Sequence, residues 1–137
     1  MYVRAWELIG TTEKEKATIA ALINNLGEVQ RGLGNIGQSE KLLKEALDIR
    51  VGALPPDHPH MAYSHANLAK LNRDMGKLEE ARKLFQEAIA VHEKQGETIA
   101  LAITLTEYGS LLRMIGEDKA AKSTDQRAQT IREKMAD

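Results

Sequence analysis

Two polar side-chain types recur at fixed intervals along this 137-residue chain, and both are suited to binding. Asn25 and Asn67 lie 42 residues apart, and Arg31, Arg73 and Arg113 follow one another at intervals of 42 and 40. A carboxamide donates and accepts hydrogen bonds, so it can pair with either group of a peptide backbone. A guanidinium is a planar fork that pairs with carboxylates or phosphates. The recurrence therefore predicts a repeated ligand-contacting surface, with the alternative that the arginines are solvated and complement helix C-terminal dipoles.

Two other motifs have catalytic or nucleotide-binding associations but are interpreted as structural. Residues 32–37, GLGNIG, match G-x-G-x-x-G, a motif that binds dinucleotides only between a strand and a helix. The pattern before it is helical, so it predicts a turn. The adjacent carboxylates Glu79 and Glu80 accompany Arg82 and Lys83, as expected for a solvated helix face. We therefore expect no catalytic residues and no enzyme activity.

Three of the four histidines cluster near the start of one predicted helix. His58, His60 and His65 could in principle hold a metal ion, and His92 lies further along the chain. His65, however, occupies a slot expected to pack against a partner helix, and regularly spaced carboxylates are missing around the cluster. We interpret the histidines as packed or solvated side chains and expect neither a metal nor a cofactor.

Composition narrows the class of protein. Hydrophobic residues make up 42% of the chain and charged residues 28%, which is ordinary for a globular domain. The net charge is −1, so the basic excess of a nucleic-acid binder is missing overall, and no nucleic-acid partner is expected. Cysteine is absent, and no apolar run reaches the length of a membrane span. We expect a cytoplasmic protein without membrane association.

The elements that position these residues are predicted by an internal repeat with steps of 42 and 40 residues. Three independent tracks share those steps: Ala46, Ala88 and Ala128; Gly34, Gly76 and Gly116; Leu26-Gly27, Leu68-Ala69 and Tyr108-Gly109. Apolar residues within each unit follow a helical period, and strand-like alternation is missing. The small residues suit close helix crossings, and each recurring glycine suits a helix end that needs positive φ.

Start and stop signals divide the chain into units within one domain, residues 1–137. Thr12 with Glu15 predicts a capping box, the proline-rich stretch 54–59 must link two helical units, and Gly96 marks the next link. The predicted units are 12–54, 57–95 and 97–136. Each is a helical hairpin, preceded by a lone helix at 2–9, so that seven helices are expected.

These residues resemble the tetratricopeptide repeat (TPR) family. The pattern is leucine with a small residue, glycine seven positions later, then alanine, and the 40–42-residue unit together with the stretch 57–91 is similar to kinesin light chain-type repeats. The resemblance covers about residues 20–137 and implies a right-handed superhelical solenoid whose first helices line a concave groove.

The resemblance also implies a function, since kinesin light chain-like repeats bind peptide cargo through groove asparagines and basic residues. The family's groove positions match Asn25, Asn67, Arg31, Lys70, Arg73 and Arg113 in this sequence. The implied function is an adaptor that binds an extended, acidic peptide segment. The third unit departs from the pattern, because Glu107 replaces the asparagine.

The chain ends suggest a second function. Tyr2 and Trp6 occupy the apolar slots of a second repeat helix, so residues 2–9 are either a lid on the first unit or the remainder of a longer array. An exposed part of that stripe would favour self-association, which makes a structural self-assembly module or homo-oligomer the alternative to the adaptor. The last helix instead has Thr124, Asp125 and Gln129 in apolar slots, as a native terminal repeat with a wettable outer face would.

Overall fold

The computed structural model describes residues 12–136, and every regular element within this range is an α-helix. The six helices are α1 (Glu13–Gly32), α2 (Ile36–Ala53), α3 (Pro59–Asp74), α4 (Leu78–Glu93), α5 (Ile99–Ile115) and α6 (Asp118–Ala136). The expectation of an all-α repeat fold is confirmed. The helix predicted at 2–9, with Tyr2 and Trp6, lies outside the described residues.

The helices pack as successive antiparallel pairs. The most extensive contacts join α1 to α2, α3 to α4 and α5 to α6, and smaller contacts join α2 to α3 and α4 to α5. Each pair lies inside one predicted unit, although the unit limits themselves stay a prediction. The first helices α1, α3 and α5 also touch their neighbours, whereas within residues 12–136 no comparable contact links α2 to α4 or α4 to α6. Neighbouring first helices are therefore closer to one another than neighbouring second helices are. The stack of helix pairs curves, with the first helices on its inner side.

Local sequence explains where the helices begin and end. The Thr12 hydroxyl accepts a hydrogen bond from the Glu15 amide at 3.1 Å, and the Thr98 hydroxyl accepts one from Leu101 at 3.2 Å. Both are N-terminal caps that satisfy amides without a partner inside the helix. The recurring glycines 34, 76 and 116 have φ values of 84°, 77° and 94°. A side chain is strained in this left-handed region, which accounts for the glycine track.

The small-residue track allows close helix approach. A Cβ atom added at Gly27 would lie 2.8 Å from the Leu43 Cδ2 atom and 2.9 Å from its Cγ atom, so the Leu43 side chain or the two helices would have to shift. At the equivalent position of the next pair, Ala69 is fully buried and packs with Phe85. The core continues along the stack in clusters that combine residues from successive pairs, such as Leu43 of α2 with Leu71 of α3.

Candidate peptide-binding site

All six residues predicted to contact a peptide lie on the three first helices. Asn25 and Arg31 are on α1, Asn67, Lys70 and Arg73 on α3, and Arg113 on α5. Because these helices lie side by side, they form one continuous surface, called here the inner face. The structure brings Asn25 and Asn67 to the same hollow between α1 and α3, about 420 Å³ in volume, together with Tyr63 and Glu28.

A second hollow, about 310 Å³, lies further along the inner face between α3 and α5. It is lined mainly by apolar side chains, including Tyr63, Ile99 and Ile103, with Asn67 and Lys70 among its polar residues. Ile103 is 52% exposed and Tyr63 is 42% exposed. The sequence analysis assigned no role to Tyr63 or Ile103. The geometry shows that they form an open apolar hollow, the kind of surface that an apolar ligand side chain fills.

The predicted cations of α1 and α3 are joined to carboxylates of the inner face itself. Arg31 Nε lies 3.1 Å from Glu28 Oε1, and its Nη1 lies 2.8 Å from Asp74 Oδ2. Lys70 Nζ lies 2.8 Å from Glu28 Oε2. Burial raises the pKa of the Glu28 carboxyl, but Arg31 and Lys70 outweigh burial and hold the pKa below its ordinary value.

The same pairing continues toward α5 and α6. Arg73 Nη1 lies 2.8 Å from Glu107 Oε2, and Arg113 is paired with Asp125 of α6. Glu107, which replaces the recurring asparagine, is therefore the carboxylate partner of the preceding unit's arginine. Any anionic ligand at these cations has to compete with Glu28, Asp74, Glu107 or Asp125.

The sequence contained a signal for this pairing that the prediction did not use. Glu28 and Asp74 sit at groove positions beside the cations, so matching charges were visible on the same predicted face. Which carboxylate meets which cation depends on how neighbouring first helices are placed. Arg31, for example, reaches Asp74 across a separation of 43 residues.

The histidines lie around the second pair and are mostly packed. His92 is 2% exposed and its ring lies 5.6 Å from that of Tyr63. His65 contacts the partner helix as expected, but it also has carboxylate company, since its Nδ1 lies 3.4 Å from Glu87 Oε2. Burial lowers the pKa of His65 more than Glu87 raises it. Among residues 12–136, no cluster of three or more histidines and carboxylates has the arrangement of a metal site.

One apolar surface lies outside the inner face. Leu22, Leu26 and Val29 of α1 and the C-capping Leu33 follow a helical spacing and are 64%, 48%, 56% and 68% exposed. This set is called here the α1 stripe. Contiguous exposed apolar side chains of this kind are typical of a surface that another element covers.

None of the helices in the described part of the chain is long and apolar enough to cross a membrane.

Comparison with known proteins gives a family match over most of the chain. The model of the tetratricopeptide repeat family matches residues 18–94 and, in an overlapping placement, 62–134. No curated protein shows significant sequence similarity to the chain.

Solved structures with similar folds include BtubC (BKLC) from P. vanneervenii, with a TM-score of 0.77 and 22% identity over 86% of this chain. A kinesin light chain-like protein of Podosopora anserina with nearly identical TPR-like repeats gives a TM-score of 0.68 at 20% identity over 86% of this chain. A variant of that protein gives 0.70 at 20% identity over 87% of this chain. The chain spans 48% of the first and 57% of each of the other two. At these identities the likeness concerns the fold, and the fold is that of kinesin light chain-type repeats.

Proposed function

This chain belongs to the tetratricopeptide repeat family, and we propose that it is an adaptor that binds an extended, acidic peptide segment along its inner face. Repeats of this family generally mediate protein–protein interaction or assembly. The observation that carries the proposal is that Asn67 lines both hollows of the inner face. A peptide filling both hollows has to cross Asn67, whose carboxamide can pair with the backbone at the crossing.

The apolar hollow supplies most of the affinity in this proposal. An aliphatic or aromatic peptide side chain would cover Ile103, Ile99 and Tyr63, which are about half exposed. Full burial of one such side chain stabilises a complex by about 1.5–3 kcal/mol. The asparagines Asn25 and Asn67 add hydrogen bonds that fix an extended backbone.

Acidic peptide residues would act mainly on selectivity and association rate. They would exchange with Asp74, Glu28 and Glu107 as partners of Arg31, Lys70 and Arg73, so one ion pair replaces another. The cations' side chains are 13–21% exposed, and their carboxylate partners are 23–35% exposed. Partly exposed pairs contribute about 0–1 kcal/mol each, so the exchange costs little. Arg113, more exposed and paired with Asp125, would meet the last acidic residue.

The test starts from a display library of unstructured peptides selected against the full chain. We expect selected peptides to share one apolar residue flanked by acidic ones. Asn67→Ala should weaken the best peptide about tenfold, which corresponds to about 1.4 kcal/mol, in a calorimetric titration.

The matched control is Gln129→Ala, which removes an exposed carboxamide from α6. It should leave the affinity unchanged. Equal affinity of Asn67→Ala and the unmodified protein would remove Asn67 from the site. Selected peptides without an apolar residue would contradict the role of the hollow.

A second candidate function, a self-assembly module, is favoured by the α1 stripe. Four neighbouring apolar side chains about half or more exposed are an interaction surface rather than ordinary helix exterior. Assembly through this surface, with Tyr2 and Trp6 of the preceding segment, would bury it. Sedimentation equilibrium of the full chain separates the two candidates, since a monomer at all protein concentrations contradicts self-assembly and leaves peptide binding unaffected.

A further inference from the structure

A buried arginine that sequence reasoning did not single out lies at the hollow between α1 and α3. Arg50 belongs to the last turn of α2, yet it lines this hollow together with Asn25 and Asn67, and it is only 3% exposed. Its Nη1 donates to the Ser64 hydroxyl at 2.8 Å and to the His60 carbonyl at 3.2 Å. Both acceptors are neutral.

Within residues 12–136 the guanidinium of Arg50 forms no ion pair, and its buried Nε–H has no hydrogen-bond partner. Burial lowers the pKa of Arg50. Buried charges in proteins are normally paired, because an uncompensated charge away from water is costly. The carbonyl groups at the end of α2 compensate part of the charge. By contrast, the cations of the inner face each have a carboxylate partner: Arg31, Lys70, Arg73 and Arg113.

The surroundings of Arg50 fit a small anion. Asn24 is 5% exposed and its Oδ1 has no partner; with the carboxamide turned over, the same position presents an N–H donor. The pKa of His60 is lowered by burial and then by the charges of Arg50 and His58, so the local field is positive. Glu28 also lines the hollow, but it already bonds Arg31 and Lys70.

We propose that Arg50 is the receptor for one carboxylate of the ligand that occupies the inner face. A singly charged carboxylate matches the single charge of Arg50, whereas a phosphate dianion would add negative charge next to Glu28. The subsite rests on the proposed groove function, since it assigns a place to one acidic residue of the peptide. The subsite differs from Arg31, Arg73 and Arg113, because a carboxylate that reaches Arg50 displaces no carboxylate partner.

The first experiment measures the Arg50 side chain directly in the full, ¹⁵N-labelled protein. The Nε–Hε cross-peak of Arg50, assigned by its loss in Arg50→Lys, is followed during titration with sodium acetate at constant ionic strength. We expect a saturable shift with acetate and none with sodium chloride. Arg127, which pairs with Glu93 on the opposite side of the stack, serves as the internal reference and should not shift.

Three outcomes overturn the subsite: no shift of Arg50, the same shift with chloride, or a larger shift with inorganic phosphate than with acetate. The acetate titration requires no peptide, so its result is independent of the groove proposal. An acetate response in a protein that selects no peptide would keep the subsite and reject the groove function.

The second experiment tests whether Arg50 binds an anion or only stabilises the fold. Arg50→Met should keep or raise the melting temperature, because a buried charge without a carboxylate partner is removed, and it should weaken the selected acidic peptide about tenfold. Arg127→Met is the matched control and should bind the peptide normally. Arg50 only stabilises the fold if Arg50→Met lowers the melting temperature strongly and the unmodified protein shows no response to acetate. Normal peptide affinity of Arg50→Met would reject the subsite while the groove function stands.

Discussion

The first helices α1 and α3 present the same repeat positions in opposite environments. Val29 of α1 is 56% exposed, whereas Leu71, which lies 42 residues later on α3, is fully buried. Likewise Leu26 is 48% exposed and Leu68 is 5% exposed. On α3 the cover comes from the preceding second helix, α2, whose Leu43 and Leu47 pack with Leu68 and Leu71.

The difference shows that a first helix in this fold is completed by the second helix before it. The hairpin partner alone does not cover the outward apolar face, since α1 packs extensively on α2 and its stripe is still exposed. The α1 stripe is also more apolar than its counterpart, because Leu22 corresponds to Ser64 of α3. The apolar composition of the α1 stripe is the basis of the self-assembly candidate, in which a second copy covers it.

The largest expected effect comes from truncating the two equivalent side chains. Leu71→Ala leaves a cavity in a packed core and should lower the free energy of unfolding by about 2–5 kcal/mol. Val29→Ala removes exposed atoms and should stay within about 0.5 kcal/mol of the unmodified protein. Both free energies of unfolding can be measured by urea denaturation of the full chain.

The change in free energy of unfolding caused by Val29→Ala shows whether the α1 stripe is exposed or covered in solution. A loss above about 2 kcal/mol would show that the stripe is covered in the folded protein. If that loss grows with protein concentration, the cover is a second copy, and if it does not, the cover belongs to the same chain.

The sequence could predict the structure within each helix pair but not the contacts between successive pairs. The repeat steps and the glycine track predicted the helix pairs, because they depend on local periodicity and on φ at single positions such as Gly116. The pairing of Arg31 with Asp74 and the burial of Arg50 were not predicted. Both depend on how one pair sits on the next, which a helical period does not contain.

The histidines also distinguish the first helix pair from the second. Helices α1 and α2 contain no histidine, and all four histidines lie from residue 58 to residue 92. His92 is buried, and burial lowers its pKa below the ordinary 6.5. The unfolded chain therefore takes up a proton at a higher pH than the folded one. The stability that neutral His92 contributes is fully present above pH 6.5 and is lost as the pH falls through its lower folded-state pKa.

We expect the free energy of unfolding to fall on acidification below pH 6.5, with His60 and His65 contributing in the same direction because burial lowers their pKa values too. His92→Gln should reduce this pH dependence in urea titrations at several pH values. A pH dependence of the same slope in His92→Gln would assign the effect to other groups.

The smallest expected effect concerns the polar edge of α1, where Arg31 is bonded to Asp74 of α3. Burial lowers the pKa of Arg31, but Glu28 and Asp74 outweigh burial and raise it above its ordinary value, so the Arg31 guanidinium is charged at neutral pH. Both side chains are partly exposed, at 21% and 33%, so water screens their attraction. A double-mutant cycle of Arg31→Gln and Asp74→Asn should give a coupling below about 1 kcal/mol that decreases in high salt.

This small coupling fits a surface whose cations can change partners. If α1 were held on α3 mainly by its ion pairs, an acidic ligand taking Arg31 from Asp74 would loosen the stack. Since the apolar contacts between α2 and α3 join the two units instead, the ligand can take Arg31 without separating them. A coupling well above about 2 kcal/mol, unchanged in high salt, would contradict this view, because Arg31 and Asp74 would then be a structural link.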